Sequence, residues 1–95
     1  MSVYMVFTKE KTIDPEEMKT YAQKIRPTFE GHPVKILVNY GPTEILEGDP
    51  VEGVALLEFP TVEAAKAWYE SPAYREIVGH RFKGAKYSGV IVQGV

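Results

Sequence analysis

The run from Phe59 to Tyr74, FPTVEAAKAWYESPAY, constrains the fold more than any other part of the chain. Phe59-Pro60 ends a strand, because proline has no N–H to give to a sheet ladder. Thr61 is suited to cap the next helix. Ala64, Ala65, Trp68 and Tyr69 then recur at helical spacing along one stripe. Ser71-Pro72 repeats the start signal, a hydroxyl cap followed by proline at the first helical position. A strand end, a helix and a second helix start thus follow one another within this one run.

The rest of the chain falls into place around it. Val3 to Thr8 alternates as a strand, with Val3, Met5 and Phe7 on one face and Tyr4 and Val6 on the other. Lys9 to Ile13 reads as a connection. Asp14-Pro15-Glu16-Glu17 opens a helix with an acidic cap, a proline at the first position and a glutamate three residues after the cap. Met18, Tyr21, Ala22, Ile25 and Phe29 mark its apolar stripe. Pro27 should break regular hydrogen bonding near its last turn, and Gly31 should terminate it. Val34 to Tyr40 is the second strand, with Val34, Ile36, Val38 and Tyr40 sharing a face. Gly41-Pro42 breaks it, and pairing is expected to resume over Thr43 to Leu46 before the turn-rich Glu47-Gly48-Asp49-Pro50. Val54 to Phe59 is the third strand. The Ser71 helix carries Tyr74, Ile77, Val78, Arg81 and Phe82 on one side, with Gly79 a weak point. Ser88 to Gln93 is the last strand.

The order is β-α-β-β-α-β, which predicts a ferredoxin-like α+β domain over residues 1–95. Four antiparallel strands form one sheet, with both helical regions on one face. The strands are apolar on both sides, whereas helices can cover only one. A bare apolar face is something soluble monomers avoid, so the second face is expected to pack on a second copy as a dimeric α+β barrel.

Composition narrows the function classes. Eleven basic and thirteen acidic residues leave a net charge of −2, which gives no electrostatic reason to expect nucleic acid or an anionic membrane surface. The chain has no cysteine, so disulfides, thiolate catalysis and cysteine-held metals are excluded. No apolar stretch approaches the roughly 20 residues that span a bilayer. The start, MSVYMVFTKEK, lacks signal-peptide features, so a cytoplasmic location is the default expectation.

Candidate chemistry is sparse. His80 and Arg81 lie near the aromatic stripe of Trp68, Tyr69 and Tyr74. An imidazole can move a proton near neutral pH, and a guanidinium can clamp a carboxylate or enolate. The plainer reading is a solvated histidine and an arginine paired to a local carboxylate such as Glu76. Trp68, Tyr69 and Tyr74 serve as core, or line a pocket with few polar groups. Asn39 and Tyr40 end the second strand, where amide and hydroxyl could hold a carbonyl at a cavity mouth. His32 is an isolated loop histidine. Two histidines far apart give no metal spacing, and no phosphate loop or nucleophile elbow is present.

YGPTEILEGD, VALLEFPTVEAAKAWYESPAY, Arg81 and the closing VIVQGV together resemble the domain of unknown function 1330 family. The shared pattern includes Gly41, Leu46, Glu47, Gly48, Phe59, Pro60, Ala64, Ala65, Ala67, Trp68, Tyr69, Ser71, Pro72, Tyr74, Gly94 and Val95. The family usually carries arginine-glycine-glycine after the second strand, where this chain has Asn39-Tyr40-Gly41. An anion-binding role for that arginine therefore does not transfer. The first helix, with Pro27 inside it, is also less typical of the family. The resemblance implies membership of the dimeric α+β barrel superfamily. That superfamily includes cofactor-independent quinone-forming monooxygenases, muconolactone isomerase-like enzymes and haem-degrading monooxygenases, with sites between sheet and helices. Three readings follow from it. One is a homodimeric enzyme without cofactor or metal, acting by isomerisation or oxygenation on a small aromatic or carbonyl compound. Its catalytic residues would be His80 and Arg81, and Asn39, Tyr40, Trp68, Tyr69 and Tyr74 would bind the substrate. A non-catalytic dimeric binding or structural module is the second reading. The third is a haem-linked oxygenase, which requires an imidazole at the pocket.

Overall fold

A computed structural model describes all 95 residues of the chain. Strand β1 (Val3–Thr12) lies between β3 (Gly53–Phe59) and β4 (Ala85–Gln93), antiparallel to both, and β2 (Lys35–Asn39) completes the sheet beside β3. The spatial order β2-β3-β1-β4 is that of a ferredoxin-like sheet. Helix α1 (Pro15–Lys24) and a 3₁₀ turn (Arg26–Phe29) connect β1 to β2, and helices α2 (Val62–Tyr69) and α3 (Pro72–Gly84) connect β3 to β4.

The local start signals act as their residue types require. Asp14 accepts from the backbone N–H groups of Glu16 and Glu17, Thr61 from that of Ala64 and Ser71 from that of Tyr74. Each such cap contributes about 1 kcal/mol. Pro15 and Pro72 take the first helical position, where a missing N–H is harmless. Pro27 falls in the 3₁₀ turn, so α1 stops at Lys24 and the chain tightens. Gly79 does not break α3, which continues to Gly84. There α1 and α3 touch: a Cβ on Gly84 would lie 2.7 Å from Met18 Sδ, and the Gly84 carbonyl accepts from Ile13 and Asp14.

The core lies between the helices and one face of the sheet. Val3, Met5 and Phe7 of β1 and Ala55, Leu57 and Phe59 of β3 are buried there against Ala65, Trp68, Tyr74, Ile77 and Val78. Trp68 is its centre, with ring centroids 4.2 Å from Tyr74, 5.0 Å from Phe29 and 6.1 Å from Phe59. No helix covers the opposite sheet face. Val90 and Val92 are 58% and 49% exposed on it, beside half-buried Val6 and Leu56.

Three expectations need correction. β1 does not stop at Thr8; it runs to Thr12, because β4 begins at Ala85 and extends the ladder past an irregularity between Lys9 and Lys11. Pairing does not resume over Thr43–Leu46. Tyr40 turns the chain off the ladder at φ 58°, and the segment to Pro50 forms no strand. The expected faces of β2 also change near its end. A register shift between Ile36 and Val38 sets Asn39, not Val38, opposite the core residue Ala55.

A buried arginine between two cavities

The stripe of α3 that faces the sheet is Tyr74, Ile77, Val78 and Arg81, spaced three and four apart. The first three are ordinary core residues, and the last is a cation. Arg81 is only 5% exposed. Its guanidinium carbon lies 4.8 Å from the ring centroid of Tyr87, 5.1 Å from Phe7 and 5.2 Å from Phe82. Its Nε has no hydrogen-bond partner. The ion pairs of the chain are Lys35–Glu58, His80–Glu17 and Lys86–Glu10, so no carboxylate neutralises Arg81. An unpaired buried charge costs several kcal/mol. Each aromatic face returns only about 0.5–2 kcal/mol.

Arg81 stands in the wall of a cavity of about 620 Å³ between α2, α3 and the inner side of β4. Met5, Phe7, Tyr69 and Tyr87 form much of the remaining wall, and Lys66, Glu70 and Lys86 supply its charged residues. Gly89 keeps the space open: it pairs with Phe7, and a Cβ there would press on the Phe7 ring at 3.0 Å.

A second cavity of about 310 Å³ lies on the other side of Phe7 and Tyr87, between α1, the 3₁₀ turn and strands β2 and β3. Its wall is largely apolar and includes Ile25, Phe29, Ile36 and Trp68, with the Asn39 amide and the Tyr40 ring near the strand end. Tyr40 OH and Tyr87 OH are hydrogen-bonded at 2.8 Å. Gly53 makes this possible, since a Cβ there would lie 2.8 Å from the Tyr40 ring.

Burial pushes the Tyr40 and Tyr87 hydroxyls above the ordinary tyrosine value of 10.0, and the opposing pull of the Arg81 charge is smaller. Both therefore stay protonated near neutral pH and act as hydrogen-bonding groups, not as bases. No three or more His, Cys, Asp or Glu side chains are grouped to hold a metal.

The residues singled out from sequence separate into four places. Tyr69 and Arg81 line the first cavity, and Asn39, Tyr40 and Trp68 line the second. Tyr74 lines neither: it is fully buried, and its hydroxyl bonds to that of Tyr21 at 2.7 Å. His80 turns the other way, with Nδ1 2.6 Å from a Glu17 carboxylate oxygen, tying α3 to α1. Arg81 is not paired to Glu76 either, which departs from the plainer reading of that residue. Neither cavity wall contains an imidazole, so the residues present do not meet the requirement of the haem-linked reading. Sequence reasoning did not select Phe7, Tyr87 or Gly89. The alternation Tyr87, Gly89, Ile91 is the signal that places them on one face of a strand beginning at Ala85.

The family model for the domain of unknown function 1330 (DUF1330) matches residues 2–95. The chain belongs to the DUF1330 family. No curated protein matches it. A solved protein of unknown function from Rhodopseudomonas palustris has the same fold at TM-score 0.79 and 22% identity, over 99% of this chain and 82% of that one. A dimeric ferredoxin-like protein of unknown function from Thermobifida fusca superposes at TM-score 0.67 and 10% identity, over 99% and 92% of the two chains. SnoaB, a cofactor-independent oxygenase from Streptomyces nogalater, does so at TM-score 0.64 and 9% identity, over 99% and 93%. At these identities the likeness establishes the ferredoxin-like α+β fold of this DUF1330 chain. No helix of the chain is long and apolar enough to cross a membrane.

Proposed function

We propose that this DUF1330 protein is a homodimer that holds a small aromatic or carbonyl compound, in anionic form, against Arg81. The observation that carries this reading is the buried, unpaired guanidinium in a cavity wall that also holds the Phe7, Tyr69 and Tyr87 rings. A buried cation favours the ionised form of whatever acid binds beside it. Planar donors suit a carboxylate, phenolate or enolate, and the Phe7, Tyr69 and Tyr87 rings suit a flat ligand. In a cofactor-independent isomerase or monooxygenase acting on such a compound, Arg81 would hold the enolate. His80 lies outside this site, and no imidazole or ionised tyrosine stands in the wall as a base. Selection of the anion by charge at Arg81 is then the main contribution of the site, with Glu70 the one carboxylate in its wall. The bare apolar sheet face around Val90 and Val92 supports the dimer, as does the dimeric state of the Thermobifida fusca relative.

Calorimetric titration with benzoate and with its neutral isostere benzamide tests the reading. Benzoate should bind and raise the melting temperature, and benzamide should do neither; equal binding of the two would sink it. Oxygen uptake with an enolisable aryl ketone separates an enzyme from a non-catalytic binding module. Light scattering should give twice the chain mass, and Val90→Asp should shift the particle toward the monomer.

A further inference from the structure

We infer that the two cavities form one binding site in two parts, for an amphipathic carboxylate or phenolate. Its charged head lies at Arg81, and its apolar portion runs past Tyr87 into the cavity under α1. The inference rests on the Arg81 reading and adds to it the shape of the ligand. Phe7 and Tyr87 stand in both walls, so the two spaces are neighbours separated by side chains, with no secondary-structure element between them. The hydrogen bond across this partition is the Tyr40–Tyr87 hydroxyl pair. Tyr40 is the member of that pair at the strand end, its backbone N–H held by the Val54 carbonyl at 2.9 Å and its ring free of any covering helix. It is 38% exposed, follows the end of β2 and sits at φ 58°, a left-handed conformation that a side chain as bulky as tyrosine rarely adopts. Loss of the hydroxyl contact would let its ring swing from Gly53 and open the way between the spaces.

The two walls differ in where their cations stand: the second has Lys9 over the Tyr40 ring and an exposed Arg26, and the rest of it is largely apolar. The first holds a buried cation without a counter-ion. In the second, Ile25, Phe29, Ile36 and Trp68 offer apolar surface, and the only hydrogen-bonding partner of Trp68 Nε1 is Thr28, which leaves that face nonpolar toward the space. An ionic head alone would leave this apolar volume unused, and a neutral hydrocarbon alone would leave Arg81 uncompensated.

Benzoate, 4-butylbenzoate and 4-octylbenzoate, titrated calorimetrically against the full chain, test the arrangement. Affinity should rise about threefold per added methylene, so the butyl compound should bind at least tenfold more tightly than benzoate. Ala22→Phe and Ile36→Phe each fill the second cavity, and in either the ratio of the two affinities should fall toward one. Intermolecular NOEs in the unaltered protein give a readout that requires no variant: butyl protons should lie near the methyl groups of Ile25 and Ile36. NOEs to Val90 and Val92 would instead place the tail on the open sheet face and overturn the inference. Affinity independent of chain length would overturn it too, while benzoate binding kept the Arg81 reading intact. Failure of all three acids to bind would remove both.

Discussion

Two aromatic neighbourhoods share the space between helices and sheet, and they treat their polar atoms in opposite ways. Around Trp68 the polar atoms have partners. Trp68 Nε1 donates to Thr28 Oγ1 at 3.1 Å, that hydroxyl donates to the Ile25 carbonyl at 2.6 Å, and the Tyr21 and Tyr74 hydroxyls bond to each other. Around Arg81 the neighbours are also rings, Phe7, Phe82 and Tyr87, yet the guanidinium has no counter-ion and its Nε no acceptor. A satisfied buried network stabilises a fold; an unsatisfied buried charge detracts from it. The first neighbourhood thus reads as architecture, and the second as a place kept for something else. The cavities agree with this division, since Arg81 faces open space and Tyr74 faces none.

The comparison breaks most directly at its structural side. Trp68→Ala should destabilise the protein by about 3–5 kcal/mol, because it empties the centre of the core and leaves Thr28 without its donor. For a domain of this size each kcal/mol corresponds to about 4–8 °C in melting temperature, so chemical and thermal denaturation should both show the loss clearly. A change below about 1 kcal/mol would mean that the Trp68 cluster is not the keystone of the fold.

Arg81→Met should do the reverse. Methionine keeps an unbranched apolar side chain against Phe7 and Tyr87 and removes the unpaired charge. Stability should therefore hold or rise by about 1 kcal/mol or more, while benzoate affinity falls at least tenfold. If the variant instead loses stability and keeps its affinity for benzoate, the two neighbourhoods exchange roles.

These contrasts were only partly legible in the sequence. The caps at Asp14, Thr61 and Ser71, the prolines at the first helical positions and the order of strands are local signals, and each appears where its residues require. The β2 register shift and the meeting of Tyr40 with Tyr87 depend on pairing between distant segments, which no local pattern carries. The burial of Arg81 follows from its place on the Tyr74–Ile77–Val78 stripe, but its lack of a carboxylate is a property of everything packed around it. The separation of His80 from Arg81, read from the sequence as catalytic partners, likewise depends on tertiary packing. His80 faces Glu17 on α1 and Arg81 faces the sheet, and which way each turns is set by the elements packed around α3.

Alkaline pH sharpens the comparison by charging both neighbourhoods. Burial raises the Tyr21, Tyr40, Tyr74 and Tyr87 hydroxyls above their ordinary value of 10.0. A group with a raised folded value contributes its full stability below the unfolded value. That contribution fades as pH climbs from there toward the folded value. The melting temperature should thus be flat with respect to these groups up to about pH 9 and fall above about pH 10. Tyr21→Phe should flatten that fall. An alkaline limb that is the same in the variant would show that Tyr21 ionises freely in the fold.

The smallest expected effect concerns His80. Its contact with Glu17 joins α3 to α1 at a partly exposed position, and such pairs contribute about 0.2–1 kcal/mol. His80→Ala should therefore lower stability by no more than about 1 kcal/mol and leave the affinity for benzoate as it was, because the imidazole faces α1 and lies in neither cavity wall. A marked loss of ligand affinity in this variant would mean that the α1–α3 contact holds Arg81 in place through the helix. The division between architecture and site would then run along α3 instead of between Trp68 and Arg81.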